Sequence, residues 1–182
     1  MAKHDTLFVN LYGGPGTGKS TTMAQVFAHL KAEGFCAEMA PEFAKELVWG
    51  DQTAIFGDQL YVTATQHHRL WRLKGKVPVV VTDSPLWMGP VYCQNDPKIV
   101  ALIPELNREL GRHVHYLLRR LKPYETAGRT QTEEQAVSLD GAIRNVLQDH
   151  SVPFIERDAT PEGALTIALE IGELIRLIRS TS

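Results

Sequence analysis

The glycine-rich stretch at residues 13–20, which reads Gly-Gly-Pro-Gly-Thr-Gly-Lys-Ser, constrains the fold more than any other part of the chain. It matches the phosphate-binding pattern G-x-x-x-x-G-K-[ST] without a mismatch. The apolar run Leu7–Tyr12 precedes it and predicts a buried strand. Apolar residues at the spacing of one helical face follow it, namely Met23, Val26, Phe27 and Leu30. A loop between a strand and a helix presents free backbone N–H groups at the positive end of the helix dipole, so the stretch predicts a phosphate-binding loop, or P-loop.

The residues of this loop have distinct expected roles. Glycines allow the unusual backbone angles of such a loop and let phosphates approach closely. We expect Lys19 to reach the β- and γ-phosphates of ATP, Ser20 to place its hydroxyl on Mg²⁺, and Thr21 to donate to the α-phosphate. The predicted nucleotide-binding residues of the loop are Gly13, Gly14, Pro15, Gly16, Thr17, Gly18, Lys19, Ser20 and Thr21.

Composition narrows the classes of protein that the chain can form. Its 182 residues are 43% hydrophobic, which predicts a single domain over residues 1–182. A formal net charge of −2 argues against tight non-specific binding of nucleic acid, although it is compatible with a local basic groove. Two cysteines without C-x-x-C spacing indicate neither a disulfide framework nor a zinc site. No apolar stretch has membrane-spanning length and the first residues lack the apolar core of a signal peptide, so we expect a soluble, cytoplasmic protein.

Apolar runs alternate with helical patterns along the chain. This alternation predicts an α/β fold, a five-stranded parallel sheet with helices on both faces. After the first strand, the predicted strands cover residues 35–39, 77–82, 114–118 and 152–155. The predicted helices cover residues 42–49, 58–73 and 97–110, and two more open at the capping box of Thr132 and at Thr160. Within the helix at 97–110, Pro104 predicts a break or kink.

Two carboxylates that follow predicted strands are candidates for the chemistry of phosphoryl transfer. Asp83 ends the apolar run at 77–82 and is expected to hold Mg²⁺ together with Ser20. Glu42 follows the second predicted strand and could be the general base that takes the proton of an acceptor hydroxyl. Glu38 competes with Glu42 for this role, although alternation along the strand points it away. Asp83 is the alternative base, so the sequence leaves the choice between Glu42 and Asp83 open.

An arginine-rich segment at about residues 119–132 predicts a lid that closes over the phosphates. Its arginines flank a loop that contains proline and glycine, and arginine offers a planar fork to phosphate oxygens. We expect Arg119 and Arg129 to act on the transferred phosphate and Arg120 to bind the nucleotide.

The acceptor is expected to lie against the unusually polar helix at 58–73. Gln66 and Arg69 on this helix could contact it, and Trp87 and Tyr92, which follow the third strand, could stack on it. Together with Glu42, the residues Gln66, Arg69 and Trp87 form the predicted acceptor site.

Several segments resemble those of small P-loop kinases. They read GGPGTGKST, APEFAKELVW, a helix with several glutamines, and VVVTDSPL. The positions of Glu42, Gln66, residues 83–85 and the arginine-rich segment are similar to the layout of deoxynucleoside kinases. Here Glu42 follows a proline instead of preceding one, and Asp-Ser-Pro stands in place of Glu-Arg-Ser. The combination more closely resembles bacteriophage P-loop kinases, among them the 5-hydroxymethyluracil DNA kinases.

The resemblance to small P-loop kinases implies the strand order 2-3-1-4-5. The resemblance to the phage family implies ATP- and Mg²⁺-dependent phosphorylation of the hydroxymethyl group on a thymine-like base in phage DNA. It assigns Lys19 and Ser20 to ATP and Mg²⁺, Asp83 to the metal and Glu42 to the acceptor. A DNA acceptor requires a flipped or single-stranded base and a basic track for the phosphates. The candidate tracks are Arg69, Arg72, Lys74 and Lys76, and Arg119, Arg120, Lys122 and Arg129.

Other functions stay open. A kinase acting on a free nucleoside or nicotinamide riboside is consistent with the negative net charge and the small size. An interaction or motor module regulated by ATP is a further alternative, although the chain lacks a recognisable arginine finger or sensor pattern. A GTPase is disfavoured because no Asn-Lys-x-Asp motif occurs. The sequence specifies no oligomeric state.

Overall fold

A computed structural model describes residues 4–121 and 132–180. In these ranges the chain forms a sheet with the strand order β2-β3-β1-β4-β5, in which every neighbouring pair is parallel. The strands are β1 (Leu7–Tyr12), β2 (Ala37–Ala40), β3 (Val79–Thr82), β4 (Arg112–Arg119) and β5 (Ile155–Asp158). The predicted fold class and the predicted strand order are confirmed.

Helices cover both faces of the sheet. In the described part of the chain they are α1 (Lys19–Ala32), α2 (Phe43–Trp49), α3 (Gln59–Trp71), α4 (Gly89–Tyr92), α5 (Pro97–Leu110), α6 (Glu133–Asp149) and α7 (Pro161–Ser180). Short 3₁₀ turns lie at Thr53–Gly57 and Leu86–Met88. None of the helices in these ranges has the length and apolar character needed to cross a membrane.

Strand β1 separates the two halves of the core. Its residues are all buried, because helices pack on both of its faces. Leu7, Val9 and Leu11 face a cluster that includes apolar residues of α1 and α7. Phe8 and Tyr12 face a second cluster with apolar residues of α3, α5 and α6. The P-loop therefore starts from a strand that is buried along its whole length.

Most predicted boundaries lie within two residues of those observed, and α5 matches its prediction at both ends. The capping box at the start of α6 is also confirmed, because the Thr132 side chain accepts from the Gln135 N–H and the Gln135 side chain from the Thr132 N–H.

Two predictions about local structure are wrong. The last strand covers Ile155–Asp158 rather than residues 152–155. Val152 instead packs into the core below the sheet, and the paired residues of this edge strand are mainly polar. Of the break or kink predicted at Pro104, the break does not occur, because α5 continues through this residue. Pro104 lies on the exposed side of α5, where water can satisfy the carbonyl that loses its helical partner.

Candidate active site

The P-loop connects β1 to α1 at the carboxyl edge of the sheet. Gly16 and Gly18 have φ angles of +79° and +103°, in the left-handed region that glycine adopts without strain. Helix α1 begins at Lys19, so its first turn presents N–H groups that have no acceptor within the helix. The loop has the geometry of an anion-binding helix start, as its sequence predicts.

Lys19 lies over the loop that precedes it. Its Nζ donates to the carbonyl oxygens of Gly13 and Gly14, at 2.7 and 3.2 Å. Burial lowers the pKa of Lys19, and the nearby carboxylates of Glu42 and Asp83 oppose this shift. The ammonium group is therefore close to both predicted carboxylates.

Asp83 joins the P-loop to the start of α2. Its Oδ2 accepts from the Ser20 hydroxyl at 2.6 Å, and its Oδ1 accepts from the Glu42 backbone N–H at 3.0 Å. The residue is only 2% exposed, so these two bonds fix the carboxylate. The Ser20 hydroxyl and the Asp83 carboxylate are oxygen ligands of the type that Mg²⁺ prefers, and their position beside a phosphate-binding loop fits this ion.

Glu42 is the residue before the first turn of α2, where its side chain makes no capping hydrogen bond, and it lines a cavity next to the P-loop. Burial raises the pKa of its carboxyl group, Lys19 lowers it, and the Asp83 charge raises it further. Among the described residues, no group donates a hydrogen bond to the Glu42 carboxylate. It is thus free to accept a proton, whereas both oxygens of Asp83 are engaged.

The cavity has a volume of about 510 Å³ and lies between the P-loop, α2, α3 and the segment that follows β3. Its polar and aromatic lining includes Lys19, Ser20, Glu42, Lys45, Gln59, Thr63, Gln66, Asp83, Ser84 and Tyr92. The predicted residues Glu42, Gln66 and Asp83 therefore meet around one space that opens onto the phosphate-binding loop.

Gln66 has a defined orientation in this cavity. Its Oε1 accepts from the Phe43 backbone N–H at 3.0 Å. Because an N–H group can bond only the oxygen end of the amide, this contact leaves the Nε2 end for another partner. Nε2 is buried without a hydrogen-bond partner in the described residues. A buried donor of this kind favours a ligand that brings an acceptor atom.

Two of the predicted acceptor contacts lie elsewhere, and these predictions are corrected. Trp87 is 7% exposed and packs in the core, where the centroid of its ring lies 4.7 Å from the centroid of the His150 ring. Arg69 makes a two-pronged ion pair with Glu46 and lies over the Phe43 ring, so it joins α3 to α2. Neither side chain lines the cavity.

The predicted lid arginines have different surroundings. Arg119 is exposed and pairs with Asp158 at 2.7 Å, whereas Arg120 is largely buried and pairs with Asp140 at 2.9 Å. Arg129, with most of the predicted lid, lies outside the described residues. Asp140 also accepts from the Gly14 N–H of the P-loop, a contact that the sequence does not predict. The sequence feature that could have identified Asp140 is a carboxylate on the inward-facing side of α6, four residues after the buried Ala136.

This fold and site define the class of the chain as a P-loop nucleotide-binding domain. The chain belongs to the AAA domain family, whose sequence model matches residues 8–162. No curated protein sequence matches the chain.

Solved structures support the same fold. The chain is similar to deoxyadenosine kinase from M. mycoides with the products dCMP and dCDP bound, at a TM-score of 0.55 and 16% identity over 91% of this chain and 98% of that one. It is also similar to the same enzyme with bound dATP, at a TM-score of 0.56 and 15% identity over 91% of this chain and 99% of the other. At this level of identity, the similarity shows a shared nucleoside-kinase-like fold.

Proposed function

We propose that the chain is an ATP-dependent kinase that transfers the γ-phosphate to a hydroxyl group held in the cavity between α2 and α3. The observation that carries this proposal is the hydrogen-bonded connection from Ser20 through Asp83 to Glu42. This connection links the phosphate-binding start of α1 to the acceptor cavity, because residues of the P-loop and Glu42 line the same space. Phosphoryl transfer needs this kind of positioning more than it needs covalent chemistry by the protein.

The residues support an in-line transfer. The P-loop N–H groups and Lys19 hold the phosphate chain and neutralise its charge. The Glu42 carboxylate takes the proton of the acceptor hydroxyl while the acceptor oxygen bonds to the γ-phosphorus. The bond from that phosphorus to the β–γ bridging oxygen breaks, and ADP leaves with the electron pair. Ser20 and Asp83 would hold Mg²⁺, which supplies charge stabilisation for the phosphate oxygens when it is bound.

The acceptor is proposed to carry a nucleobase. Nε2 of Gln66, which has no partner among the residues that the structure describes, needs an acceptor atom, and a carbonyl oxygen or ring nitrogen of a base supplies one. The second lone pair on Oε1 can accept from a ring N–H of the same base, since Phe43 occupies only one. Tyr92 lines the same cavity and offers an aromatic surface to a planar ligand.

Within this class, the finer proposal is the 5-hydroxymethyl group of hydroxymethyluracil in DNA. The segment resemblance to phage DNA-base kinases supports it, and uracil carbonyls suit the Gln66 amide. A free nucleoside is the second candidate. The shared fold with deoxyadenosine kinases favours the free nucleoside. In the candidate basic tracks for DNA, Arg69, Arg119 and Arg120 each pair with a carboxylate, which also favours the free nucleoside.

A transfer assay separates these candidates. The protein is incubated with γ-labelled ATP and Mg²⁺, and with either DNA that contains hydroxymethyluracil or a panel of free nucleosides. Label on the polymer supports the DNA-base kinase, and label only on a free nucleoside supports the second candidate instead. No label on any acceptor, from a protein that binds ATP, would refute the proposed function.

A further inference from the structure

Helix α6 makes a direct polar contact with the P-loop through Asp140. Its Oδ1 accepts from the Gly14 backbone N–H at 2.5 Å and lies 3.3 Å from the Thr17 hydroxyl oxygen. Its Oδ2 forms an ion pair with Arg120 Nε at 2.9 Å. One carboxylate therefore connects the first turn of the loop to the residue that follows β4.

The helix lies against the loop with no space between them. A Cβ atom added at Gly14 would lie 2.5 Å from the Ala136 carbonyl oxygen and 2.8 Å from Asp140 Oδ1. Only a glycine fits here, and its N–H points at the Asp140 carboxylate. The contact depends on the shape of the loop itself rather than on a long, adaptable side chain.

Arg120 is fixed from several directions. Besides the Asp140 pair, its Nη2 contacts Thr17 Oγ1 at 3.2 Å and the Ala136 carbonyl oxygen at 3.3 Å. Its side chain is 14% exposed, and Nη1 is buried without a partner among the described residues. Within residues 4–121 and 132–180, the guanidinium group thus keeps one unpaired donor beside the P-loop.

We infer that Asp140 is a positioning residue for the nucleotide. It holds the first turn of the P-loop and the Arg120 guanidinium in a fixed relation, so that Arg120 Nη1, which has no partner in the described part of the chain, donates to an acceptor atom of the bound nucleotide. This inference rests on the proposed function for the identity of the ligand as ATP. Replacing the carboxylate removes the partner that orients Arg120, even where the loop keeps its hydrogen bond.

Binding titrations of ATP to four proteins test the inference. Asp140→Asn keeps an oxygen for the Gly14 N–H but replaces the charge that faces Arg120. We expect it to weaken ATP binding by about tenfold to a hundredfold, the range given by loss of a charge-assisted hydrogen bond. Arg120→Ala should have a similar effect, and the double variant should bind no more weakly than Arg120→Ala alone. Such non-additivity is the signature of one residue acting through the other.

Glu156→Gln is the matched control. It removes an ion pair that Arg144 of the same helix makes with β5, away from the P-loop. ATP should bind to it as to the unmodified protein. The melting temperature is measured for every variant, because a purely structural role would lower it in Asp140→Asn while leaving the affinity for ATP unchanged. That outcome, or effects of Asp140→Asn and Arg120→Ala that add, would overturn the inference.

The titration needs no acceptor, so it separates two failures. A protein that binds ATP but transfers phosphate to no acceptor overturns the proposed function, and the affinities still decide the role of Asp140. If the unmodified protein transfers phosphate but Asp140→Asn binds ATP equally well, only the inference is overturned.

Discussion

Glu42→Gln is the substitution that most sharply separates chemistry from binding. Gln keeps the size of the side chain and the backbone N–H that Asp83 accepts, so the P-loop and the start of α2 should be unchanged. It removes only the proton-accepting carboxylate from the cavity. The affinity for ATP should therefore be retained, while transfer to the acceptor slows.

The expected size of the loss follows from the role of the group. A positioned general base contributes about 10²- to 10⁴-fold to a rate, equivalent to about 3–5 kcal/mol of barrier. The rate of the unmodified protein should also depend on pH. Burial raises the Glu42 pKa, and only the deprotonated carboxylate can accept a proton. Activity should fall as pH decreases through this raised pKa, and the Gln variant should lack that limb of the profile.

Single-turnover transfer from labelled ATP, measured across a pH series, is the appropriate assay because it isolates the chemical step. Glu46→Gln serves as the control, since Glu46 lies on the same helix but is exposed and pairs with Arg69. It should leave the transfer rate unchanged. Equal turnover by Glu42→Gln and the unmodified protein would show that Glu42 is not the base.

Two further substitutions test the role of Gln66 in the cavity and the role of the buried His115 in stability. Gln66→Glu keeps an oxygen for the Phe43 N–H but replaces the Nε2 hydrogen-bond donor by an oxygen. We expect the KM for the phosphate-accepting substrate to rise about tenfold or more, with the affinity for ATP retained. An unchanged KM would exclude the proposed contact with the base. His115→Gln removes a buried group whose pKa burial lowers from 6.5 to about 3, with Nδ1 2.9 Å from the Tyr12 hydroxyl. The unfolded chain binds this proton more readily than the folded chain. The neutral ring therefore makes its full contribution to the free energy of unfolding above the unfolded-state pKa, and this contribution is lost as pH falls toward 3. The loss is about 2 kcal/mol at most between about pH 7 and about pH 5. Urea unfolding should show a smaller loss in the Gln variant over that interval, and equal losses would contradict the assignment.

The fold was largely readable from sequence because its central signals are local. The continuous apolar runs of β1 and β3 belong to strands covered on both faces, and the capping box marks the start of α6 within a few residues. The edge strand β5 was misplaced because it has no such run. Its position depends on pairing with β4, a contact between residues far apart in sequence.

The candidate site likewise contains residues that the sequence predicts from local motifs and residues that depend on contacts between distant positions. The P-loop is contiguous, so its motif could be read directly, and the ends of β2 and β3 placed Glu42 and Asp83 near it. Trp87 was assigned to the acceptor from its chain position alone, although a 3₁₀ turn directs it into the core. Asp140 was missed because its contact with Gly14 crosses 126 positions of sequence. Such contacts depend on helix packing and have no motif.

The central claim is that a hydroxyl held in the cavity receives the terminal phosphate of a nucleotide bound at the start of α1. Its most direct test is the distance from the Glu42 carboxylate to the acceptor oxygen in a crystal structure with Mg²⁺, a non-hydrolysable ATP analogue and the acceptor identified by the transfer assay. The account predicts a hydrogen-bond distance of about 3 Å, with the triphosphate against residues 13–20. An acceptor bound outside the cavity, or a triphosphate away from the P-loop, would contradict it.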